Sequence, residues 1–196
     1  RLPIKSWKQE LTFAGAGLTG MTLYYLMENI ALTYSQASNV GVIVSIAPVF
    51  TAITAHIFLK EEGKLRPAFF MGCVIALIGI SLISFSGTTM HLNPIGDLLS
   101  VGGAIIWSFY SVLSKKIGSF GYSVVQATRR TFFYGILFMI PALFIFDFKW
   151  DLIRFATPAY LFNIFYLGLG ASAICFVTWN MAVRILGAIK TSVYIY

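Results

Sequence analysis

Charge is scarce in this sequence. Only 11% of its residues are charged and 58% are hydrophobic, against about 25% charged in an ordinary soluble domain. A soluble fold of 196 residues would need a polar surface, and this chain has too few polar residues to cover one. Cysteine and histidine number two each. Cys73 and Cys175 lie inside apolar runs and read as small packed hydrophobes, neither a disulfide pair by spacing nor a metal site. His56 and His91 fall on opposite sides of the expected topology, and no paired acidic motif accompanies them. An intramembrane enzyme would therefore lack a nucleophile, a base or metal ligands. No Gly-x4-Gly-Lys-Ser/Thr loop is present, so a pump driven by its own ATPase is unsupported. Arg1 to Glu10 is polar and basic and has no signal-peptide pattern.

What the chain does have is long uncharged runs. A membrane span needs roughly 20 apolar residues at about 1.5 Å each. Six runs qualify: Leu11–Thr33 with Glu28 as its single charge, Ser38–Leu59, Pro67–Ser86, Leu98–Ser114, Thr131–Phe146 and Phe155–Val183. The expected fold class is an all-α membrane protein, a multi-span helical bundle.

The basic residues alternate between the loops. Arg1, Lys5 and Lys8 precede the first run, Lys60, Lys64 and Arg66 follow the second, Lys115, Lys116, Arg129 and Arg130 follow the fourth, and Arg184 and Lys190 follow the sixth. The loops between hold only Lys149 and Arg154, balanced by Asp147 and Asp151. The positive-inside rule places the rich side in the cytoplasm, including the Arg1 end, Lys60–Arg66 and Lys115–Arg130. The net charge of +7 is thus a topology signal. Nucleic acid is excluded as a partner, since these charges sit at helix ends rather than on one folded patch. The expected location is the cell (inner or plasma) membrane, multi-pass.

The chain also resembles itself. Shifted by 151 residues, Gly17-Leu18 falls on Gly168-Leu169, Asn29 on Asn180, Ala31 on Ala182, Ala37 on Ala188 and Val42 on Val193. The two copies run through the membrane in opposite senses, which is the inverted repeat of secondary transporters. Inversion needs an odd number of spans, and five separate the copies. The expectation is a ten-helix (5+5) protein of roughly 290 to 300 residues, extrapolated from the repeat, of which this chain is the middle part. Residues 1–90 would be the last three helices of the first repeat, and residues 91–196 the first three helices and the start of the fourth in the second.

Helical spacing selects faces. Gly17, Gly20, Tyr24, Glu28 and Ala31 share one side of the first run at steps of three or four. Glu28 is either a proton- or cation-linked carboxylate at a substrate path or an interfacial Glu near the outer end. Ser38, Gly41, Ser45, Pro48, Ala52 and Ala55 form a small-residue stripe, and Pro48 can kink its helix and free a carbonyl. Gly72 and Gly79 read as close helix packing. Gly96, Ser100, Gly103, Trp107, Tyr110 and Ser114 share a face of the fourth run. Trp107 lies too deep there for an interfacial belt. Asn180 is expected to bridge helices as its repeat mate Asn29 does. Arg129 and Arg130 read as topology determinants, with an anionic substrate at the inner mouth as the other reading.

Two stretches resemble the drug/metabolite transporter superfamily, in its EamA-like group. One is Ala31-Leu32-x-Tyr34-x-x-Ala37-Ser38, followed by Pro48-Val49-Phe50-Thr51, Phe58-Leu59 with Glu61 or Glu62, Gly72 and Gly79. The other is Gly96-Asp97-Leu98-Leu99 with Ala104, Trp107-Ser108, Tyr110 and Lys116. The resemblance implies two five-helix repeats around a central cavity opened alternately to each side, moving amino acids, other small metabolites or drugs, often outward. Glu28 and Asn29 are polar where the family pattern leads one to expect apolar residues, which implies a more polar cavity. The candidate substrate-binding set is Tyr24, Glu28, Asn29, Ser45, Trp107, Tyr110, Ser111 and Asn180, with Glu28 as the candidate proton-coupling carboxylate. No cofactor and no metal are expected. Partners are the lipid bilayer, a small-molecule substrate and, as a candidate, a second copy of the chain. The rival classes are a channel or scaffold, which would not need an inverted repeat, and an intramembrane enzyme.

Overall fold

Among the described residues, six helical rods and the start of a seventh lie where the chain has its apolar runs. The computed structural model describes residues 6–59, 67–84, 93–146 and 155–196. The charged loop segments Arg1–Lys5, Lys60–Arg66 and Asp147–Arg154, together with His91, lie outside the described residues. Among the described residues there is no strand.

Rod α1 runs as Trp7–Gly17, a π-helical stretch Leu18–Leu23, and Tyr24–Tyr34. Rod α2 is Ala37–Val44 and Ala47–Phe58, separated by a two-residue turn at Ser45-Ile46. The break has a chemical cause. Pro48 carries no N–H to offer the Val44 carbonyl, so it sits in the first turn of a new helix instead. Rod α3 is Pro67–Ser84. Rod α4, Pro94–Gly118, is capped by Asn93, whose side chain accepts from the Ile95 and Gly96 N–H groups. Asp97 in its first turn and Lys115 and Lys116 in its last complement the helix dipole. Rod α5, Val124–Ile145, begins with a Ser123/Gln126 capping box. Rod α6 is Pro158–Phe165, a second π-helical stretch Tyr166–Ile174, and Cys175–Leu186. Gly187 turns the chain with φ of 93° into α7, Ala188–Val193.

Side-chain contacts fix which ends meet. The Tyr122 hydroxyl donates to Gln9 and the Arg184 guanidinium to the Tyr122 carbonyl, so the start of α1, the start of α5 and the end of α6 share one end. Lys8 and Arg129 belong to these elements, and Lys115 at the end of α4, beside Lys116, donates to the Arg184 carbonyl; we call this the basic end. At the far end the Ser35 hydroxyl donates to Asp97 at 3.2 Å. A core of Phe13, Ala16, Tyr110, Ile117, Tyr122, Ala127 and Phe176 fills the space between α1, α4, α5 and α6.

Apolar residues also cover the outside. Met71, Val74, Ile75, Ile78 and Leu82 on α3 and Phe162, Phe165, Tyr166 and Leu169 on α6 are exposed, as lipid-facing surface requires. Among the described residues four helices are long and apolar enough to cross a membrane: Ala37–Phe58, Pro94–Gly118, Val124–Ile145 and Pro158–Leu186. Pro67–Leu82 is a shorter apolar helix. In α1 the Thr, Gly and Tyr residues, with Glu28 and Asn29, dilute the hydropathy.

Two packing expectations change. Gly72 and Gly79 were expected at close helix contacts, yet a Cβ at either would meet nothing within 4 Å. The single face of α1 divides: Gly17 lies against the backbone of Thr131 and Gly135 on α5, whereas Gly20 lies against the Tyr110 ring on α4. The π-helical stretch between Gly17 and Tyr24 changes the angular step per residue, so a face drawn at constant α-helical spacing cannot hold across it. Arg130, expected as a topology determinant, also pairs with Glu10 across the α1–α5 contact.

Candidate functional site

The middle of the bundle carries aromatic rings from three rods. Trp107 on α4 lies 4.8 Å from Tyr24 on α1, 5.0 Å from Tyr110, 5.2 Å from Trp179 on α6 and 5.7 Å from Phe176, centroid to centroid. These are the distances at which tilted and edge-to-face rings attract. A Cβ at Gly103, one turn before Trp107, would meet the Tyr24 ring only at an ordinary contact distance of 4.0 Å. The indole N–H groups of Trp107 and Trp179 are buried and have no acceptor among the described residues, an unusual state for buried donors. Glu28 lies one turn beyond Tyr24, half-buried, with the Tyr24 hydroxyl within hydrogen-bonding reach of its carboxylate. The Tyr25 hydroxyl and Ser172 Oγ stand 3.1 Å apart, joining α1 to the π-helical stretch of α6.

Below the rings, toward the basic end, lies a polar node. Asn180 Oδ1 accepts from the Tyr110 hydroxyl at 2.7 Å and from the Ser114 hydroxyl at 2.6 Å. Its Nδ2 donates to Thr128 Oγ1 at 2.9 Å. One amide therefore ties α4, α5 and α6 together. A small cleft of about 20 Å³, room for a water molecule, lies beside the node and is lined by Tyr110, Ser114, Tyr122, Thr131, Asn180 and Arg184.

The expected site residues divide on this geometry. Tyr24, Glu28, Trp107, Tyr110 and Asn180 come together in the aromatic cluster and the node beneath it. Asn29 does not join them: it is exposed, and its amide donates to the Tyr25 carbonyl of its own helix at 2.7 Å. It therefore bridges no helices, unlike Asn180. The one-sidedness is a matter of surroundings, since Asn29 faces outward while Asn180 faces three hydroxyl groups. Ser45 is buried at the α2 break with its hydroxyl on the Val42 carbonyl. Ser111 is fully buried and bonded to the Trp107 carbonyl. Both hydroxyls serve their own helices.

Sequence reasoning missed Tyr25, Ser172, Thr128 and Trp179 as site members. Ser114 stood on the Tyr110 face at a step of four, so its spacing was a usable signal. Thr128 gave none, because its partner lies 52 residues away in sequence. Among the described residues no group of His, Cys, Asp and Glu could hold a metal ion, and Cys73 and Cys175 are free thiols.

Comparison with known proteins bears on this arrangement. The pattern of the EamA-like transporter family matches residues 1–85 and 94–196. An uncharacterized transporter of Archaeoglobus fulgidus is 26% identical over 182 residues, covering 91% of this chain and 61% of that protein. A probable terminal-alkyne amino-acid exporter of Streptantibioticus cattleyicolor is 26% identical over 180 residues, covering 92% of this chain and 58% of that protein. A protein of solved crystal structure shares the fold with a TM-score of 0.68 at 23% identity, over 97% of this chain and 66% of that one. The chain thus spans about three-fifths of the length of the curated relatives it matches.

Proposed function

This chain belongs to the EamA-like transporter family, and from that premise we propose that it forms the central part of a secondary transporter which exports a small metabolite, such as an amino acid or a drug, across the plasma membrane by alternating access. It is a multi-pass membrane transporter rather than an enzyme. The substrate class, the outward direction and the mechanism are our reading. The amino-acid exporter among its relatives supports an amino acid as the first substrate to try.

The observation that carries the reading is the junction of Tyr24 and Glu28 on α1 with Trp107, Tyr110, Trp179 and Asn180 on α4 and α6. It lies mid-bundle, where rods from both expected repeats meet. It combines stacking surface, donors and one carboxylate, which a small amphipathic substrate requires. Glu28 is the proposed proton-linked group, and the two buried indole N–H groups are donors awaiting an acceptor.

A second observation supports the ten-helix inverted repeat. The two π-helical stretches fall in register under the 151-residue shift: Leu18–Leu23 maps onto 169–174, inside Tyr166–Ile174. Ala37 and Ala188, which are also paired, both begin helices after a break. Irregular helices at corresponding positions of two halves mark the site region in such transporters.

The test is proton-driven transport by the full-length protein in proteoliposomes, with a panel of labelled amino acids. Accumulation under an imposed proton gradient is expected, and Glu28→Gln should abolish its dependence on the gradient. Unchanged, pH-sensitive transport in Glu28→Gln would remove Glu28 from the mechanism. Transport that never exceeds equilibration would favour a channel.

A further inference from the structure

The basic end of the α1–α5 contact holds a charged cluster that the substrate site does not use. Arg130 meets Glu10 with two nitrogens: Nη2 lies 2.5 Å from Oε1, and Nε donates to Oε2 at 3.2 Å. The Tyr134 hydroxyl, one turn along α5, donates to the same Oε2. The guanidinium also lies 5.5 Å from the centroid of the Phe13 ring, on the α1 turn above Glu10. Gln9 completes the edge by accepting from Tyr122. Both members of the ion pair are largely buried, at 7% and 13% side-chain exposure. A buried pair of this kind is costly to separate, because each charge is left without its partner.

The cluster has no repeat mate. Under the 151-residue shift Glu10 corresponds to Leu161 and Phe13 to Ile164, both exposed apolar residues at the far end of α6. One end of the bundle is thus clamped by charge where the corresponding end of the other half has hydrocarbon. Higher along α1 the seam is held differently. Gly17 lies against the α5 backbone, and the Thr22 hydroxyl donates to the Gly135 carbonyl at 3.0 Å.

We propose that Glu10, Arg130 and Tyr134 form a charge latch that closes the basic end of the α1–α5 seam and opens once in each transport cycle. The latch rests on the alternating-access reading, and it makes closure at the basic end more specific than closure at the far end. It acts by positioning α1 against α5 and does not contact substrate.

The test uses the full-length protein with Cys73 and Cys175 replaced by Ala, and with Ala16→Cys as a reporter buried in the core beside the seam. A membrane-impermeant maleimide is added from either side of oriented vesicles. Glu10→Gln should raise the labelling rate from the Lys8/Lys115 side about tenfold, a modest shift in a two-state population. The charge-swapped pair Glu10→Arg with Arg130→Glu should return the rate toward that of the parent. Tyr134→Phe, which keeps the ring and the fold, should raise it two- to threefold with an unchanged melting temperature, and it decides the matter if Glu10→Gln fails to fold. Parent-like labelling in Glu10→Gln and Tyr134→Phe would overturn the latch, as would a swapped pair no slower than either single variant. Labelling that responds as expected in a protein transporting none of the panel upholds the latch and sinks the substrate reading. Transport without any labelling response sinks the latch alone.

Discussion

At the residue scale, Asn180 has the most to lose. Its amide holds the hydroxyls of Tyr110, Ser114 and Thr128 in one node. Asn180→Ala would leave two donors, one of them on the fully buried Tyr110, without their acceptor. A loss of about 1–3 kcal/mol is expected, read as a lowered melting temperature of the purified protein in detergent. Asn29→Ala is the control: its amide only back-bonds to its own helix, and a change within about 0.5 kcal/mol is expected. The sequence made both residues visible as polar groups in apolar runs and paired them by repeat. It could not tell them apart, because their difference lies in which rods surround them. The same limit hid Glu10 and Thr128, whose partners are brought close only by the bundle. Trp107 and Tyr110 were legible, since a step of three on an otherwise small-residue face points both rings the same way.

At the scale of the element, local chemistry predicted the rods and their interruptions unevenly. Pro48 announced the α2 break through its missing N–H. Pro48→Ala would restore a donor for the Val44 carbonyl and favour one continuous helix. Transport should fall several-fold with no loss of thermal stability, checked by initial rates beside a melting curve. The π-helical stretches had no such marker, and the one in α1 broke the face drawn at α-helical spacing. Glycine was an equally mixed guide. A Cβ at Gly17 would come within 2.6 Å of the α5 backbone, which cannot rotate away, whereas at Gly72 it would meet nothing. Gly17→Ala should therefore destabilise by about 1–3 kcal/mol through overpacking, and Gly72→Ala should be neutral or slightly stabilising, both measured by thermal unfolding in the same detergent.

For the whole molecule, the fold class was the most legible feature, because it follows from the ratio of apolar to charged residues rather than from any contact. Apolar exposure on α3 and α6 and burial of small and polar groups between α1, α4 and α5 are the distribution a bilayer selects. The orientation is testable apart from activity. With the native thiols removed, Asn93→Cys should react with an impermeant maleimide only from outside intact cells, and Ser119→Cys only after the membrane is opened; the reverse pattern would invert the positive-inside assignment. The π-helical stretch of α1 links these scales through a count of residues. Deleting one residue from Leu18–Leu23 could restore an unbroken α-ladder and would leave Glu10 and Phe13 nearly in phase with Tyr24 and Glu28, because six π-helical residues turn the chain about as far as five α-helical ones. The clamp at the basic end and the ring cluster at mid-bundle thus keep their phase when the stretch loses one residue and lose it when it loses two, so a double deletion there should lower the melting temperature far more than a single one.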